Sequence, residues 1–545
     1  MEHRMDTSYN DIPYMGRVHS QTHIERLALA AQIFGIETVP LEHARVLELG
    51  CGDGSNLVNM ALNLPNAHFV GIDGSEVHIV RGREMAQTAQ ASNVQLEAMD
   101  ITAITDQFGQ FDYILCHGVF SWVPENVRDH ILRISRECMT PLGIGYISYN
   151  AYPAWKQHEM LRDMMRFHAF RMEDPKEQIL QARALVQFIG EHVPDTINNS
   201  YGKFINSQVE FISGLTEEYL YHEYLEAHNQ PYWFYEFIKL LDANELQYLG
   251  DTDLSSMINL HWPEETRDLL NHISPTQYEL EQYMDMLRCR RFRCSTFVHH
   301  AREVTRGIEP KVFTDFYYSY KACDKWITPE PKEGSTDEST EGASTGNTET
   351  SSSDEIIAAL PVNIESNNVQ GLIQVALFQH LHEQWPKRVH FKELVSLGEQ
   401  TKGANLSDDE QISLAELMQT LYLKEVVQAH LYAPQIANDI PTHPKLNGVA
   451  RHQATYQEVV STQLHDMVIV RDEWVRSMVT LMDGTRTVPE ISEALYTQMS
   501  KGDLPTLECE DDDGNPITHR DGILKVLQTR IMEILASFLE NGALM

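Results

Sequence analysis

Positive charge is in short supply in this chain. Its 545 residues hold 42 Lys and Arg against 79 Asp and Glu, a formal charge of −37 at neutral pH. Binding to duplex nucleic acid draws on clustered cations that release counterions, so no nucleic-acid partner is expected. The one dense basic run, Arg288-Cys-Arg-Arg-Phe-Arg293, reads instead as a strand with its approach loop. Long apolar runs are missing too. No stretch nears the roughly 20 residues of a membrane span, and the N-terminal Met-Glu-His-Arg-Met-Asp has no apolar signal segment. The expectation is a cytoplasmic protein without membrane insertion. Cysteine is scarce: seven residues, none in a Cys-x-x-Cys pair, which argues against a disulfide framework or a zinc site. Cys289 and Cys294 lack a second pair, and His299-His300 are neighbours on an expected strand that face opposite sides. No metal site is predicted. The acidic surface favours cationic or lysine-rich partners by long-range steering.

What the chain does have is Arg45-Val-Leu-Glu-Leu-Gly-Cys-Gly-Asp-Gly-Ser-Asn56, an apolar run that breaks into Gly50, Gly52 and Gly54 and resumes as a helical pattern. Such a strand, tight turn and helix lets backbone approach a ligand and aims helix N–H groups at it. A dinucleotide site needs its third glycine where Ser55 stands, so nicotinamide and flavin dinucleotides are disfavoured. One βαβ unit downstream, His68-Phe-Val-Gly-Ile-Asp73 ends an apolar run in a carboxylate placed to accept from ribose hydroxyls. Glu48-x-Gly50-x-Gly52-x-Gly54 with Asp73 resembles the class I S-adenosylmethionine-dependent methyltransferases. The resemblance implies an α/β fold, Rossmann-like, with a mostly parallel seven-stranded sheet.

Strand and helix signals then alternate: Val94 to Asp100, Phe111 to Val119, a helix started by Pro124 and followed by Pro141, and a strand from Gly145 to Asn150. By the strand-end rule, residues 50–54, Asp73, Asp100, His117 and Asn150 converge on one edge. From about Tyr152 to Gln230 the pattern is helical, with Leu161, Met164, Met165 and His168, then Ile179, Ala182, Leu185 and Val186, at helical spacing. Tyr235–Leu241 reads as a helix, and Leu246–Leu249 and Arg291–Val298 as the last strands of the same sheet. The organisation expected is a methyltransferase domain over 1–155 and 235–305, a helical insertion (lid or regulatory) over 156–234, and a connecting segment over 306–328. An acidic disordered linker over 329–356 follows, then a mainly helical protein-interaction domain over 357–545. The halves of that last domain carry short β-rich pieces at Val426–Tyr432 and Met467–Val470, and the second half resembles small winged-helix modules.

A closer resemblance lies in Tyr9-Asn-Asp-Ile-Pro-Tyr14, Gln21-Thr-His-Ile-Glu-Arg26, His117-Gly-Val-Phe-Ser-Trp-Val-Pro124, Ser148-Tyr-Asn-Ala-Tyr-Pro153 and Tyr221-His-Glu-Tyr-Leu-Glu226. These stretches are similar to those of bacterial methyltransferases that carry a methyltransferase regulatory region. The best-known members are rickettsial protein-lysine methyltransferases acting on outer membrane protein B. What this resemblance implies is a donor site in which Gly50, Cys51 and Gly52 line the methionine part, Asp73 holds the ribose, and Asp100 and Ile101 meet the adenine. His117 and Gly118 would close the pocket beneath the sulfonium. Tyr9, Arg26, Glu48, Gly54, Asn56, Gly74 and Ser75 complete the expected cofactor set, and Tyr14, Trp122, Tyr152 and Trp155 would form the acceptor channel. His117 reads better as a hydrogen-bonded structural histidine than as a general base. The residues depart from the family at Ala154-Trp155-Lys156, where Gly and a different residue after Trp are expected.

The resulting expectation is a bacterial S-adenosylmethionine-dependent methyltransferase acting on lysine side chains of a protein. The alternatives are a small-molecule or lipid methyltransferase and a cofactor-binding regulator without catalysis, because this fold does not fix the acceptor.

Overall fold

A computed structural model describes residues 16–196, 198–321, 369–507, 509 and 516–545. Tyr9, Tyr14 and the acidic run 329–356 lie outside them. Helix α1 (Ile24–Ile33) precedes β1 (Arg45–Leu49), α2 (Ser55–Asn63), β2 (His68–Asp73), α3 (Glu76–Ala89), β3 (Val94–Ala98), β4 (Phe111–Cys116), α4 (Glu125–Glu137) and β5 (Met139–Asn150). The helices α5 (Ala154–Ala169), α6 (Pro175–His192) and α7 (Ser200–Ser213) follow, then α8 (Phe234–Ala243), β6 (Leu246–Asp251), α9 (Gln277–Arg288) and β7 (Phe292–His299). The seven strands form one sheet in the order β3-β2-β1-β4-β5-β7-β6, parallel except that β7 runs antiparallel to both β5 and β6. The expected α/β class is the observed one. Every residue of β4 is buried, as a central strand covered on both faces requires.

The largest difference in a strand boundary from the sequence reading is at the start of β5. β5 begins at Met139 rather than Gly145, so Pro141 lies inside the strand. Its pairing with β4 jumps from Phe111↔Met139 to Tyr113↔Ile144. The skipped residues form a bulge, one of the few places where a strand tolerates a proline without a ladder N–H. The helices α5 to α7 build a small core of their own from Leu161, Met165, Ile179, Ala182, Val186, Ile205 and Ile212. The segment Tyr221–Leu225 is a π-helix.

Past β7 the chain rejoins the central core. Strand β8 (Tyr317–Ser319) pairs antiparallel with β9 (Val389–His390) and β10 (Gln428–His430), so residues on both sides of 322–368 share one three-stranded sheet. Phe313, Tyr318, Phe378 and Leu421 belong to the same buried cluster as Ile24, Leu27 and Phe34. The last part holds α10 (Gly448–Gln453), the hairpin β11 (Val459–Ser461) and β12 (Met467–Ile469), and the helices Glu473–Leu481, Val488–Lys501 and Arg520–Glu540 around a separate core. No helix among the described residues is long and apolar enough to cross a membrane.

The basic run of β7 is consumed inside the fold. Arg293, 1 % exposed, bonds Asp285 at 2.8 Å and Glu281 at 3.0 Å, Arg290 bonds Asp251 at 2.7 Å, and Arg291 meets Glu223 at 3.4 Å. Buried guanidinium groups need such carboxylates to offset lost hydration.

Candidate active site

The glycine turn sits at the carboxyl end of β1, where Gly50 N–H and Cys51 N–H both donate to Ile72 C=O on β2 at 2.9 Å. Gly50, Gly52 and Gly54 all have φ between 57° and 72°, a conformation that penalises any side chain. Asp73 closes the turn from the next strand: its Oδ2 accepts from Gly52 N–H at 2.9 Å and its Oδ1 from Ser75 N–H at 2.9 Å. Ser75 caps α3, and Gly74 between them is exposed. A Cβ added at Gly52, Gly74 or Gly118 would meet nothing within 4 Å, so these three strand-end glycines border open space. At the bottom of the turn Glu48 is 3 % exposed. Its Oε1 accepts from Asn56 Nδ2 at 2.8 Å, while Oε2 is buried with no partner among the described residues. Burial, reinforced by the charges of Asp73 and Asp53, pushes Glu48 up to about 8. An orphaned acid beside a cradle of glycines is what a polar, nucleoside-bearing ligand would complete, and the residues present fit S-adenosylmethionine.

His117, at the end of β4, is a buried ring whose Nδ1 is 2.8 Å from Tyr146 Oη. It packs against His19 at 4.2 Å with the rings tilted by 36° and meets Phe292 edge-on at 5.8 Å. Desolvation holds it well below the usual histidine value, so it is neutral and structural, as its sequence context suggests. Gly118 N–H donates to Ser148 Oγ at 2.8 Å. Asp100 Oδ1 caps the short turn at Thr102 N at 2.7 Å, with Ile101 half-buried beside it. The buried Cys51 thiol is pushed well up by desolvation. Two expected cofactor residues have other tasks. Asn56 is held by Thr22, Glu48 and His465 and stands behind the turn. Arg26, on α1, acts electrostatically on His23, Tyr422 and His430, toward the C-terminal part of the chain.

The aromatic residues gather beyond the ends of β4 and β5. Trp122 and Trp155 form an edge-to-face pair at 5.8 Å. Trp155 is 1 % exposed with an indole N–H unpartnered among the described residues. Tyr152 Oη donates to Glu159 at 2.6 Å, and the ring lies 5.5 Å from Trp233. All three rings carry a cation: Lys156 Nζ is 3.9 Å from the Tyr152 centroid, Arg162 5.8 Å from Trp122, and Arg291 5.7 Å from Trp155. Arg291 in turn meets Glu223 and Tyr219 of the π-helical region. Sequence reasoning missed Arg291, Glu223 and His19 as neighbours of this edge. The only signal for Glu223 was its place within the Tyr221–Glu226 stretch.

Residues 41–198 match the family described as a methyltransferase domain, residues 216–299 a predicted methyltransferase regulatory domain, and residues 443–543 a PKMT C-terminal winged helix domain. The uncharacterized protein RP028 of Rickettsia prowazekii is 36% identical over 235 residues, 43% of this chain and 92% of that protein. The chain belongs to the S-adenosylmethionine-dependent methyltransferases that carry this regulatory domain. Similarity to a second R. prowazekii relative of this methyltransferase, the uncharacterized protein RP789, is 29% over 544 residues and spans 98% of this chain and 93% of the relative. Among solved structures, PKMT2 from Rickettsia typhi in complex with AdoHcy superposes with a TM-score of 0.78 at 27% identity. That match covers 98% of this chain and 100% of that one. The methyltransferase therefore shares its whole architecture, winged helix included, with that protein.

Proposed function

We propose that this chain transfers methyl groups from S-adenosylmethionine to lysine side chains of a protein. The observation that carries the reading is the cation over each described aromatic ring of the expected acceptor path, Tyr152, Trp122 and Trp155. Ring faces attract ammonium groups, methylated or not. The chain's own Lys156 sits on Tyr152 with Glu159 at 3.3 Å, an arrangement that a substrate lysine could also exploit. The full-length likeness to PKMT2 supports the same acceptor class.

Bound S-adenosylmethionine supplies an activated methyl on a sulfonium. Glu48, residues 50–54 and Asp73 would hold it, and Asp73 would accept from the ribose hydroxyls. The transfer is an in-line displacement, so the protein's work is alignment and delivery of a neutral amine. An unperturbed lysine has a pKa of about 10.4, and removing its proton near pH 7.4 costs roughly 4 kcal/mol. Burial beside Trp155 lowers that cost by disfavouring the ammonium, and the neighbouring guanidinium groups of Arg162 and Arg291 act in the same direction.

The test is to incubate the purified chain with methyl-labelled S-adenosylmethionine and host extract, partition the label between protein, lipid and small molecules, and hydrolyse the protein fraction. Label in methyl-lysine is the expected result. Label confined to lipid or small molecules would overturn the lysine reading.

A further inference from the structure

The helix that follows the glycine turn is buried from Ser55 to Ala61. Leu57, Val58, Met60 and Ala61 of α2 belong to the hydrophobic core. Its polar stripe, Asn56, Asn59 and Asn63, spaced to lie along one face, is taken by the turn 462–466 of the C-terminal hairpin. Asn59 Nδ2 donates to Thr462 C=O at 3.1 Å and Asn63 Nδ2 to Gln463 C=O at 3.1 Å. His465 Nε2 lies 2.9 Å from Asn56 Oδ1. Since Asn56 Nδ2 faces Glu48, its Oδ1 is the acceptor and His465 the donor. His465 is 3 % exposed and neutral, held well below the usual histidine value by desolvation.

The same module reaches the turn itself and the segment in front of it. Tyr456 Oη donates to Asp53 at 3.3 Å, Gln453 Nε2 to Ser55 Oγ at 3.3 Å, and Gln457 Nε2 to Gly16 C=O at 3.2 Å. Gly16 packs so closely on Asp53 that a Cβ there would lie 2.0 Å from its carboxylate. His19 N–H donates to Asn56 Oδ1 at 3.1 Å, and the His19 ring packs against His117. One asparagine thus joins the hairpin turn to the buried acid of the site on one side and to the strap over His117 on the other.

We infer that the hairpin turn 462–466 is a built part of the methyl-donor site and that His465 is its positioning residue. Through Asn56 it fixes Glu48 and His19, so the C-terminal module sets how tightly the donor is held. The inference rests on residues 50–54 and Asp73 being the donor site.

The experiment measures S-adenosylhomocysteine binding by calorimetry on the full chain and on His465→Ala, His465→Gln, Asn63→Ala and Asp73→Ala, with circular dichroism to confirm folding. His465→Ala removes one buried donor and should weaken binding by about tenfold. It should raise the KM for S-adenosylmethionine more than it lowers kcat. His465→Gln, whose amide can donate from a similar place, should restore most of the affinity, and Asn63→Ala, which removes one bond at the far end of α2 and leaves the His465–Asn56 bond in place, should change it less than about twofold. Unchanged affinity in folded His465→Ala, alongside loss in Asp73→Ala, would overturn the inference. Unchanged affinity in Asp73→Ala would instead refute the donor-site assignment. Hydrogen exchange on the unaltered chain keeps the question decidable if His465→Ala does not fold. Ligand should slow exchange in 459–469 as well as in 50–56, and protection confined to 50–56 would overturn the inference.

Discussion

Glu25 and Glu48 are equally deep in the molecule, 4 % and 3 % exposed, yet their surroundings push their pKa values in opposite directions. Burial alone would raise both. Glu25 accepts from Arg388 at 2.9 Å and from the backbone N–H of Leu431 at 2.8 Å, and the guanidinium with His430 and His23 drives it well below the carboxylate range. Among the described residues Glu48 has only the amide of Asn56, and its pKa goes up to about 8. The difference separates a staple from a site. The acid with full partners ties α1 to the C-terminal part of the chain, and the acid left half-satisfied sits where a ligand belongs.

The sharpest way to break the comparison is to remove the staple's cation. Arg388→Ala leaves Glu25 buried without its guanidinium counter-charge, which should cost about 3–5 kcal/mol and lower the denaturation midpoint of the whole chain. A loss below about 1 kcal/mol in chemical denaturation would show that Glu25 is not held as described. On the site's side, Asp73→Ala deletes the acceptor next to Glu48 and should weaken S-adenosylhomocysteine about a hundredfold, two hydrogen bonds at about 1.5 kcal/mol each, with a smaller loss of stability because Gly52 N–H and Ser75 N–H also lose their acceptor.

The pH dependence sharpens the contrast, because the two acids carry opposite signs. Glu48, raised from 4.5 to about 8, contributes stability present below about 4.5 and lost as pH rises through about 8. Glu25, depressed, contributes stability present above its unfolded value and lost as pH falls toward its folded one. Glu48→Gln should therefore flatten the stability profile between about 4.5 and 8 while leaving the acid limb in place. A Glu48→Gln profile that still falls over that window would place the titration elsewhere. The smallest effect is expected at Lys156, more than half exposed on Tyr152. Lys156→Ala should shift thermal stability by less than about 1 kcal/mol, and a larger loss would mean that the ammonium on that ring is structural.

The half of the site that the sequence reveals is the half that is local. Gly50, Gly52, Gly54 and Asp73 lie within one βαβ unit, where turn chemistry and strand length leave a single arrangement. The alternation of apolar runs likewise marks the strands through β7, but not the bulge at the start of β5 or the irregularity that lengthens β6 to Asp251. What cannot be read is any contact made by residues that look solvent-facing. Asn56, Asn59 and Asn63 form an ordinary polar stripe until His465, Thr462 and Gln463 arrive from about 400 residues away. The basic run at 288–293 is equally opaque, since its carboxylate partners Asp251, Glu281 and Asp285 come from β6 and α9. Periodicity reports which face is apolar, not which polar face another module will cover.

A crystal structure of the full chain with S-adenosylhomocysteine tests the account most directly. The ribose hydroxyls should lie within hydrogen-bonding distance of Asp73 and the amino-acid end of the ligand against the turn 50–54 and Glu48. A nucleoside bound away from Asp73, or a turn left empty at saturating ligand, would contradict it.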